Sequence, residues 1–436
     1  MILILTKKPS QRQHYIFNLM LEELLGLKFS FTHSAEEFRS YAGPKFIYGK
    51  NPTDDESLYL ASAGLLYEKG VGSPSIQAVD HEGEKALFPV YERNAALPFD
   101  PFSAAFFMVT RYEEYMPYRK DMYGRFTAME SSAYKLGFLH KPVVNIWTIQ
   151  LGNLLQQRFP DLKIKKLQYK FIPTYDIDQA WAFKGKGFAR IAGAYLKSLA
   201  RTDLKDVVQR TKVIAGMEPD PFDNFDYQLD LQKRYQLHPV YFFLFGSYGE
   251  YDKNIPVTNT RFRQLIKRIA DYADTGIHPS YKSNSQPEEL RREVGELSKV
   301  LNREIIRSRQ HFLKLHIPET YFNLADLNIS MDYTMGYAAL PGFRAGICRP
   351  YTFYDVDMET TIPITVVPFA VMDCTLRDYM NLSPDVAIQT INQLIAEVKK
   401  VGGVFSSLWH NESLSETGHW KGWRRVYEEL VKTATN

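Results

Sequence analysis

Residues Lys170-Phe-Ile-Pro-Thr-Tyr-Asp-Ile-Asp178 form an apolar run that ends in two acids, which is typical of a buried strand with functional groups at its end. Residues i and i+2 of a strand project to the same side, so we predict that Asp176 and Asp178 share one side at the strand's carboxyl end. Burying two like charges is unfavourable unless a cation, hydrogen-bond donors or a shared proton compensates. The pair therefore indicates a metal or acid–base site, although the pattern alone equally fits a solvated acidic turn.

The composition predicts a globular protein with substantial cores, since 45% of the 436 residues are hydrophobic. Lys and Arg number 53 against 50 Asp and Glu, a net charge of +3, which argues against nucleic acid as the main partner. Aromatic residues make up 14% of the chain, and they suit either sugar-stacking clefts or large cores.

The cysteine content and the N-terminus predict a cytoplasmic protein. Only Cys348 and Cys374 are present, too few for a disulfide framework. Residues 1–8 place a short apolar run before two lysines, the reverse of a signal peptide. No apolar run approaches the roughly 18 residues of a membrane helix, so we expect no transmembrane segment.

A proline and a charge cluster at Arg158–Asp161 predict a domain boundary. We therefore predict a smaller N-terminal α/β domain over residues 1–162 and a second domain over residues 163–436. The first shows no catalytic spacing, and its aromatic and acidic segment 99–115 is interpreted as a buried helix rather than a ligand site.

Beyond residue 165, strand-like runs alternate with helices, which predicts βα units around a parallel sheet or barrel. Three helices have start signals at Asn259, at Ser285 with Pro287, and at Ser383 with Pro384. We predict seven strands, at residues 169–175, 238–245, 275–278, 304–309, 329–333, 362–371 and 404–409.

Polar residues follow almost every predicted strand, where βα folds carry their functional groups. Together they predict one combined site. These strand-end residues are Asp176 and Asp178, His278, Arg309 and His311, Asp332, Asp373, and His410.

The segments Thr-Tyr-Asp-Ile-Asp (174–178), Gly-Ile-His-Pro-Ser-Tyr (276–281), Arg-Gln-His-Phe (309–312) and Leu-Trp-His (408–410) resemble the polysaccharide deacetylase family. This family is also called NodB-homology or carbohydrate esterase family 4. The resemblance covers roughly residues 165–436 and implies a distorted (β/α)7 barrel. The N-terminal part looks like a poorly characterised domain that accompanies some bacterial deacetylase-like proteins.

The resemblance also implies roles for individual residues. Asp176 would be the general base and His410 the general acid. Arg309 stands where the family has a base-orienting arginine, and Arg344 competes for that role. Asp332 or Asp373 could hold the imidazole of His410. The residues for sugar binding would be Trp181, Tyr281 and Trp409, with at least two of the four tryptophans 181, 409, 420 and 423 expected in the core.

The metal site departs from the family's pattern. The resemblance makes Asp178 and His278 metal ligands, but the family's second histidine is replaced by Lys282, which cannot donate a lone pair when protonated. Two outcomes are open. Either His311 completes a triad that holds a divalent metal such as zinc, or the Lys282 ammonium takes the metal's place and pairs with Asp178.

The resemblance implies a hydrolase that removes an N-acetyl group from a glycan or a lipid-linked glycan precursor with the help of a metal. The alternative is a non-catalytic glycan-binding or assembly protein with a decayed site. The basic stretch 184–212 is usually a solvated helix face, but it could also meet a phosphate-bearing carrier or an anionic membrane.

Overall fold

The protein is described by a computed structural model over residues 1–50 and 57–436. The strands are β1 Ile2–Leu5, β2 Phe29–Thr32, β3 Lys45–Gly49, β4 Leu58–Ala61, β5 Ala78–His81, β6 Glu84–Leu87, β7 Lys170–Ile177, β8 Val240–Leu244, β9 Asp274–His278, β10 Arg307–Ser308, β11 Met331–Asp332, β12 Tyr351–Asp355, β13 Thr360–Val366, β14 Val371–Met372 and β15 Val404–His410. The α-helices are α1 Gln11–Phe17, α2 Ala35–Ser40, α3 Pro101–Val109, α4 Ser132–Lys135, α5 Val143–Arg158, α6 Phe188–Ala200, α7 Leu204–Ile214, α8 Phe225–Tyr235, α9 Thr260–Ala270, α10 Pro287–Leu301, α11 Glu319–Ala325, α12 Pro384–Lys400 and α13 Trp423–Thr435.

The N-terminal segment is built on a four-stranded parallel sheet in the order β2-β1-β3-β4. All four residues of β1 are buried, as expected for a strand covered on both faces. Helix α3 is buried along its whole length, and the Asp100 carboxylate accepts hydrogen bonds from the backbone N–H groups of Phe102 and Ser103 at its start. The predicted buried helix is therefore confirmed over Pro101–Val109, whereas the charged residues Arg111, Glu113 and Glu114 follow the helix and are buried as well.

The larger sheet has nine strands in the order β12-β13-β11-β10-β9-β8-β7-β15-β14. Strand β12 runs antiparallel to β13, and the other pairs are parallel. Parallel strands bring their carboxyl ends to one edge, so the predicted site residues share that edge. The protein is thus an α/β protein.

The nine strands do not close the predicted barrel through direct strand pairing in the described part of the chain, because β12 and β14 stand at the two ends of the sheet. The predicted strand 362–371 is wrong as a single element. It divides into β13 and β14, and the chain between them crosses the gap, where Phe369 N–H donates to Met335 O at 3.2 Å and Ala370 N–H to Ser406 O at 3.0 Å.

Two of the three predicted helix starts are confirmed. The Asn259 side chain caps α9 by accepting from Phe262 N–H at 3.1 Å, and α12 begins at Pro384 directly after Ser383. The prediction for Ser285 is wrong, since α10 begins at Pro287 with Gln286 before it. Pro287 fixes that start because a proline suits the first helical position, where no N–H partner is required.

The N-terminal segment packs tightly on the rest of the protein. One continuous hydrophobic core contains residues of both segments, such as Phe106 and Tyr354, whose rings lie 5.4 Å apart. The buried Arg12 guanidinium reaches across to the Glu359 carboxylate at 2.6 Å. The domain boundary near residue 162 stays a prediction. None of the described helices is both long and apolar enough to cross a membrane.

Candidate active site

The carboxyl ends of β7, β9 and β10 bring Asp178, His278 and His311 together. His278 Nε2 lies 3.3 Å from one carboxylate oxygen of Asp178, and His311 Nε2 lies 3.4 Å from the other. The three ligand atoms all lie within 4.8 Å of one another. One carboxylate and two imidazoles at this spacing form a group that could hold a divalent metal ion.

Hydrogen bonds to the other nitrogen of each imidazole orient the two histidines. His278 Nδ1 lies 2.5 Å from the backbone oxygen of Arg309, and His311 Nδ1 lies 2.8 Å from a carboxylate oxygen of Asp252. A proton on Nδ1 makes each of these hydrogen bonds and turns the Nε2 atom of each ring toward Asp178. This is the arrangement in which protein histidines bind metals.

Gly276 allows β9, the strand that carries His278, to pack closely against its neighbours. In β9, a Cβ atom on Gly276 would lie only 2.7 Å from both the Arg307 backbone oxygen and the Phe242 ring. A side chain there would push β9 away from its neighbours. Gly276 thus keeps β9 close to β10, and the two histidines with it.

The charges of the cluster are strongly coupled. Burial alone would raise the pKa of Asp178, but His311 and His278 lower this pKa well below its usual value. Burial would lower the pKa of His311, yet Asp178 and Asp252 raise it to about 9. The cluster therefore favours a positive charge beside Asp178, and either a proton or a metal cation can supply it.

Asp176 lies beside this cluster and is held by Arg309. Arg309 Nη1 donates to an Asp176 oxygen at 2.9 Å and to Thr174 Oγ1 at 2.7 Å, while its Nε donates to Tyr333 O at 3.0 Å. The second Asp176 oxygen lies 3.7 Å from His278 Nε2. The arginine is fully buried, so the orientation of the carboxylate is fixed.

His410 stands at the same edge, at the end of β15, and is held by Asp373. Its Nδ1 lies 2.8 Å from one Asp373 oxygen, and its backbone N–H donates to the other at 2.7 Å. Asp332 is engaged elsewhere, by Ser308 and Thr334. Burial would lower the pKa of His410, but Asp373 and then Cys374 raise it well above the usual value.

A pocket of about 150 Å³ connects these groups. Its wall includes Arg125, which comes from the N-terminal segment and donates to Phe312 O at 2.8 Å and to the Tyr379 hydroxyl at 3.2 Å. Sequence reasoning missed Arg125, together with Asp252 and Cys374. Only the fold brings Arg125 to the site, since 187 residues separate it from Phe312.

Two predicted site residues lie elsewhere. Arg344 is buried and pairs with Glu114 through two hydrogen bonds of 2.9 and 2.5 Å, so it does not compete with Arg309 for Asp176. Lys282 is exposed, whereas the described partners of the Asp178 carboxylate are the two histidines. The structure therefore contradicts the arrangement in which Lys282 pairs with Asp178.

The aromatic residues proposed for sugar stacking are also placed differently. Trp409 is completely buried against Tyr427, on the face of β15 opposite to that of its neighbour His410. Trp181 is buried against Phe262. Stacking of either tryptophan on a sugar is therefore inconsistent with the structure, whereas Tyr281 remains half-buried with its ring 4.4 Å from that of Tyr251.

Comparisons with known proteins give one family match and several similar solved structures. Residues 2–160 match a family described as "Family of unknown function (DUF7033)". No curated protein matches the chain. Among solved structures, a protein from Mycobacterium smegmatis described as a polysaccharide deacetylase is 14% identical, with a TM-score of 0.40 over 61% of this chain and 85% of that chain.

Two further solved structures come from Bacillus species. A polysaccharide deacetylase from Bacillus cereus is 10% identical, with a TM-score of 0.30 over 61% of this chain and 86% of that chain. A CE4 family pseudoenzyme from Bacillus anthracis is 12% identical, with a TM-score of 0.27 over 61% of this chain and 62% of that chain. All three TM-scores are low, so these matches carry no argument for the fold or the site. Both are derived from the strands and side chains described above.

Proposed function

We propose that this protein hydrolyses the N-acetyl group of a carbohydrate, with a divalent metal held by Asp178, His278 and His311. The convergence of these three ligands beside Asp176 is the observation that carries the proposal. The choice of an N-acetylated glycan or a lipid-linked precursor as substrate rests on the sequence resemblance to polysaccharide deacetylases.

The residues present fit a metal. One carboxylate oxygen of Asp178 is buried and accepts no hydrogen bond from the described residues, so it is free to act as a ligand. One oxygen and two nitrogen donors suit zinc. When bound, a divalent cation lowers the pKa of water and polarises a carbonyl group.

The chain's own residues supply the proton transfers. Asp176 is positioned by Arg309 and keeps one oxygen turned to the cluster, so it can accept a proton from the attacking water. His410 has a raised pKa and lines the pocket, so it can stay protonated and donate to the departing amine. Asp373 fixes the ring of His410 for this transfer.

Equilibrium dialysis with zinc tests the ligand set. We expect stoichiometric zinc on the wild-type protein, loss of zinc in His311→Ala, and retention in the control His316→Ala, whose ring contacts Gly124 O instead. Acetate release from N-acetylated oligosaccharides should be lost together with zinc. Asp178→Asn should reduce zinc in the same way.

The other outcomes decide against parts of the proposal. Zinc that stays bound without His311 refutes this residue as a ligand. Neither zinc nor acetate release from the wild-type protein would favour the alternative, a glycan-binding or assembly protein with a decayed site.

A further inference from the structure

Helices α6 and α7 carry large apolar side chains into solvent. Phe188 is 88% exposed, Leu196 70%, Leu204 65% and Val208 53%. Exposed apolar residues scattered singly are ordinary, but a concentration of them marks an interaction surface. We call the exposed side chains of residues 188–217 the α6–α7 surface.

The exposed apolar residues lie on one face of each helix. In α6, Phe188, Leu196 and Leu199 fall at helical spacing, and in α7 Leu204 and Val208 are four residues apart. The helices use other side chains to hold each other. Tyr195 Oη lies 2.9 Å from Thr211 Oγ1, and Ser198 Oγ donates to Asp206 at 2.6 Å. The apolar face is therefore not used in packing between the two helices.

The same segment is strongly basic. Residues 188–217 contain six Lys or Arg and two Asp, which gives 6 − 2 = +4, more than the +3 of the whole chain. One of the acids, Asp206, is already paired with Arg210 at 2.8 Å. Lys197, Arg201 and Lys205 are exposed beside the apolar side chains. The surface thus combines exposed apolar groups with an excess of positive charge.

We propose that the α6–α7 surface docks onto an anionic lipid bilayer. Exposed apolar groups that enter the headgroup region, with basic residues beside them, are the features of helices that lie in a membrane interface. A second copy of the chain fits less well. A twofold interface would bring the two +4 surfaces together, and like charges would oppose each other.

Contacts tie this surface to the candidate active site. Arg190 of α6 donates to the backbone oxygens of Asn254 and Lys253, each at 2.9 Å. The adjacent Asp252 holds His311. Lys186, just before α6, donates to the Gln179 side chain at 2.8 Å, next to Asp178. These hydrogen bonds link the α6–α7 surface to the segments that carry Asp178 and Asp252.

Vesicle flotation of the full-length protein tests the proposal without any turnover, so its result is independent of the proposed reaction. The probes are phosphatidylcholine vesicles with and without phosphatidylglycerol, at low and high salt. The apolar variant is Leu196→Ser with Val208→Ser, and the charge variant is Lys197→Glu with Lys205→Glu. The control, Tyr91→Ser with Met122→Ser, removes apolar groups that are 84% and 82% exposed elsewhere.

We expect binding to the anionic vesicles only, weakened by salt and reduced roughly tenfold or more in both α6–α7 variants but not in the control. Circular dichroism should show that each variant folds. Equal binding to neutral vesicles, no binding, or unchanged binding by both variants would overturn the proposal. A wild-type dimer that the apolar variant dissociates, without effect on vesicle binding, would assign the surface to self-association instead.

Discussion

Arg309 and Arg344 are both buried arginines paired with an acid, and the sequence offers both for the same role. Arg344 and Arg111 both bond to Glu114, at distances between 2.5 and 2.9 Å, so both oxygens of that carboxylate are engaged by arginine. Arg309 instead engages only one oxygen of Asp176 and leaves the other near His278. Asp176 thus keeps one carboxylate oxygen without an arginine partner, whereas Glu114 keeps none.

This difference separates a structural ion pair, Glu114 with its arginines, from the pair that we propose to be catalytic, Asp176 with Arg309. Burial would raise the pKa of Glu114, but Arg344 and Arg111 lower it, so the carboxylate stays charged and bound. It lies at the junction between the N-terminal segment and the rest of the protein. Asp176 borders the pocket and has an oxygen free for a proton. We therefore expect a substitution of Asp176 to reduce activity and a substitution of Glu114 to reduce stability.

The largest effect is expected for Asp176→Asn. This change removes the proton acceptor with little change in volume, and Arg309 can still donate to the remaining side-chain oxygen. Acetate release should fall by about 10²- to 10⁴-fold, with zinc content and circular dichroism unchanged. Turnover equal to that of the wild-type protein on an accepted substrate would refute Asp176 as the base.

Glu114→Gln should have the opposite profile. The change leaves Arg111 and Arg344 buried with less compensating charge, so the free energy of unfolding should fall by about 3 to 5 kcal/mol. Urea denaturation measures this loss. Acetate release per folded molecule should stay near the wild-type value, and a selective loss of activity without destabilisation would contradict the structural role of this pair.

The sequence predicted that Asp178, His278 and His311 share one site, because all three stand at the ends of predicted strands and parallel strands bring their carboxyl ends to one edge. It left open whether His311 or Lys282 lies against Asp178, and only the fold decides for His311. The choice between Arg309 and Arg344 required the fold, since nothing local reveals that Glu114 comes to lie against Arg344.

Other residues of the site could not be predicted from the periodicity of the sequence. Asp252 lies in a loop, and Arg125 reaches the pocket only through packing between distant segments. Strand geometry alone argues against the stacking role predicted for Trp409. Adjacent residues of a strand point to opposite faces, so Trp409 and His410 cannot both face the site. The predicted strand 362–371 failed because β13 and β14 pair at different places in the sheet, and pairing is not visible in an apolar run.

Asp373→Asn tests a third pair, in which the Asp373 carboxylate holds the imidazole of His410. Without the Asp373 charge, the pKa of His410 should fall, so the ring loses its proton at lower pH. The alkaline limb of the pH–rate profile should then shift to lower pH, with about a hundredfold loss of acetate release at alkaline pH. Cys374→Ser should give a smaller shift. An unchanged profile in Asp373→Asn would refute His410 as the general acid.

A smaller change, in the free energy of unfolding, is expected at Glu293. This buried acid lacks the paired arginines that Glu114 has. One Glu293 oxygen accepts from Ser280 N–H at 2.9 Å, the other has no hydrogen-bond donor among the described residues, and the Arg292 guanidinium lies 4.0 Å away. Burial raises the pKa of Glu293 from 4.5 to about 7. Folding therefore favours the protonated form.

The sign of the pH dependence follows from this shift. The stabilising contribution of protonated Glu293 is fully present below about pH 4.5 and is lost as the pH rises through about 7. Glu293→Gln stays neutral, so its free energy of unfolding at pH 8 should exceed that of the wild-type protein by about 2 kcal/mol, with little difference at pH 4.5. The matched control is Glu289→Gln, because its hydrogen bonds to Arg292 lower the pKa of Glu289. That variant should be slightly less stable than the wild-type protein at pH 8. Equal stability of the two variants at pH 8 in urea denaturation would show that the buried Glu293 carboxylate does not oppose folding.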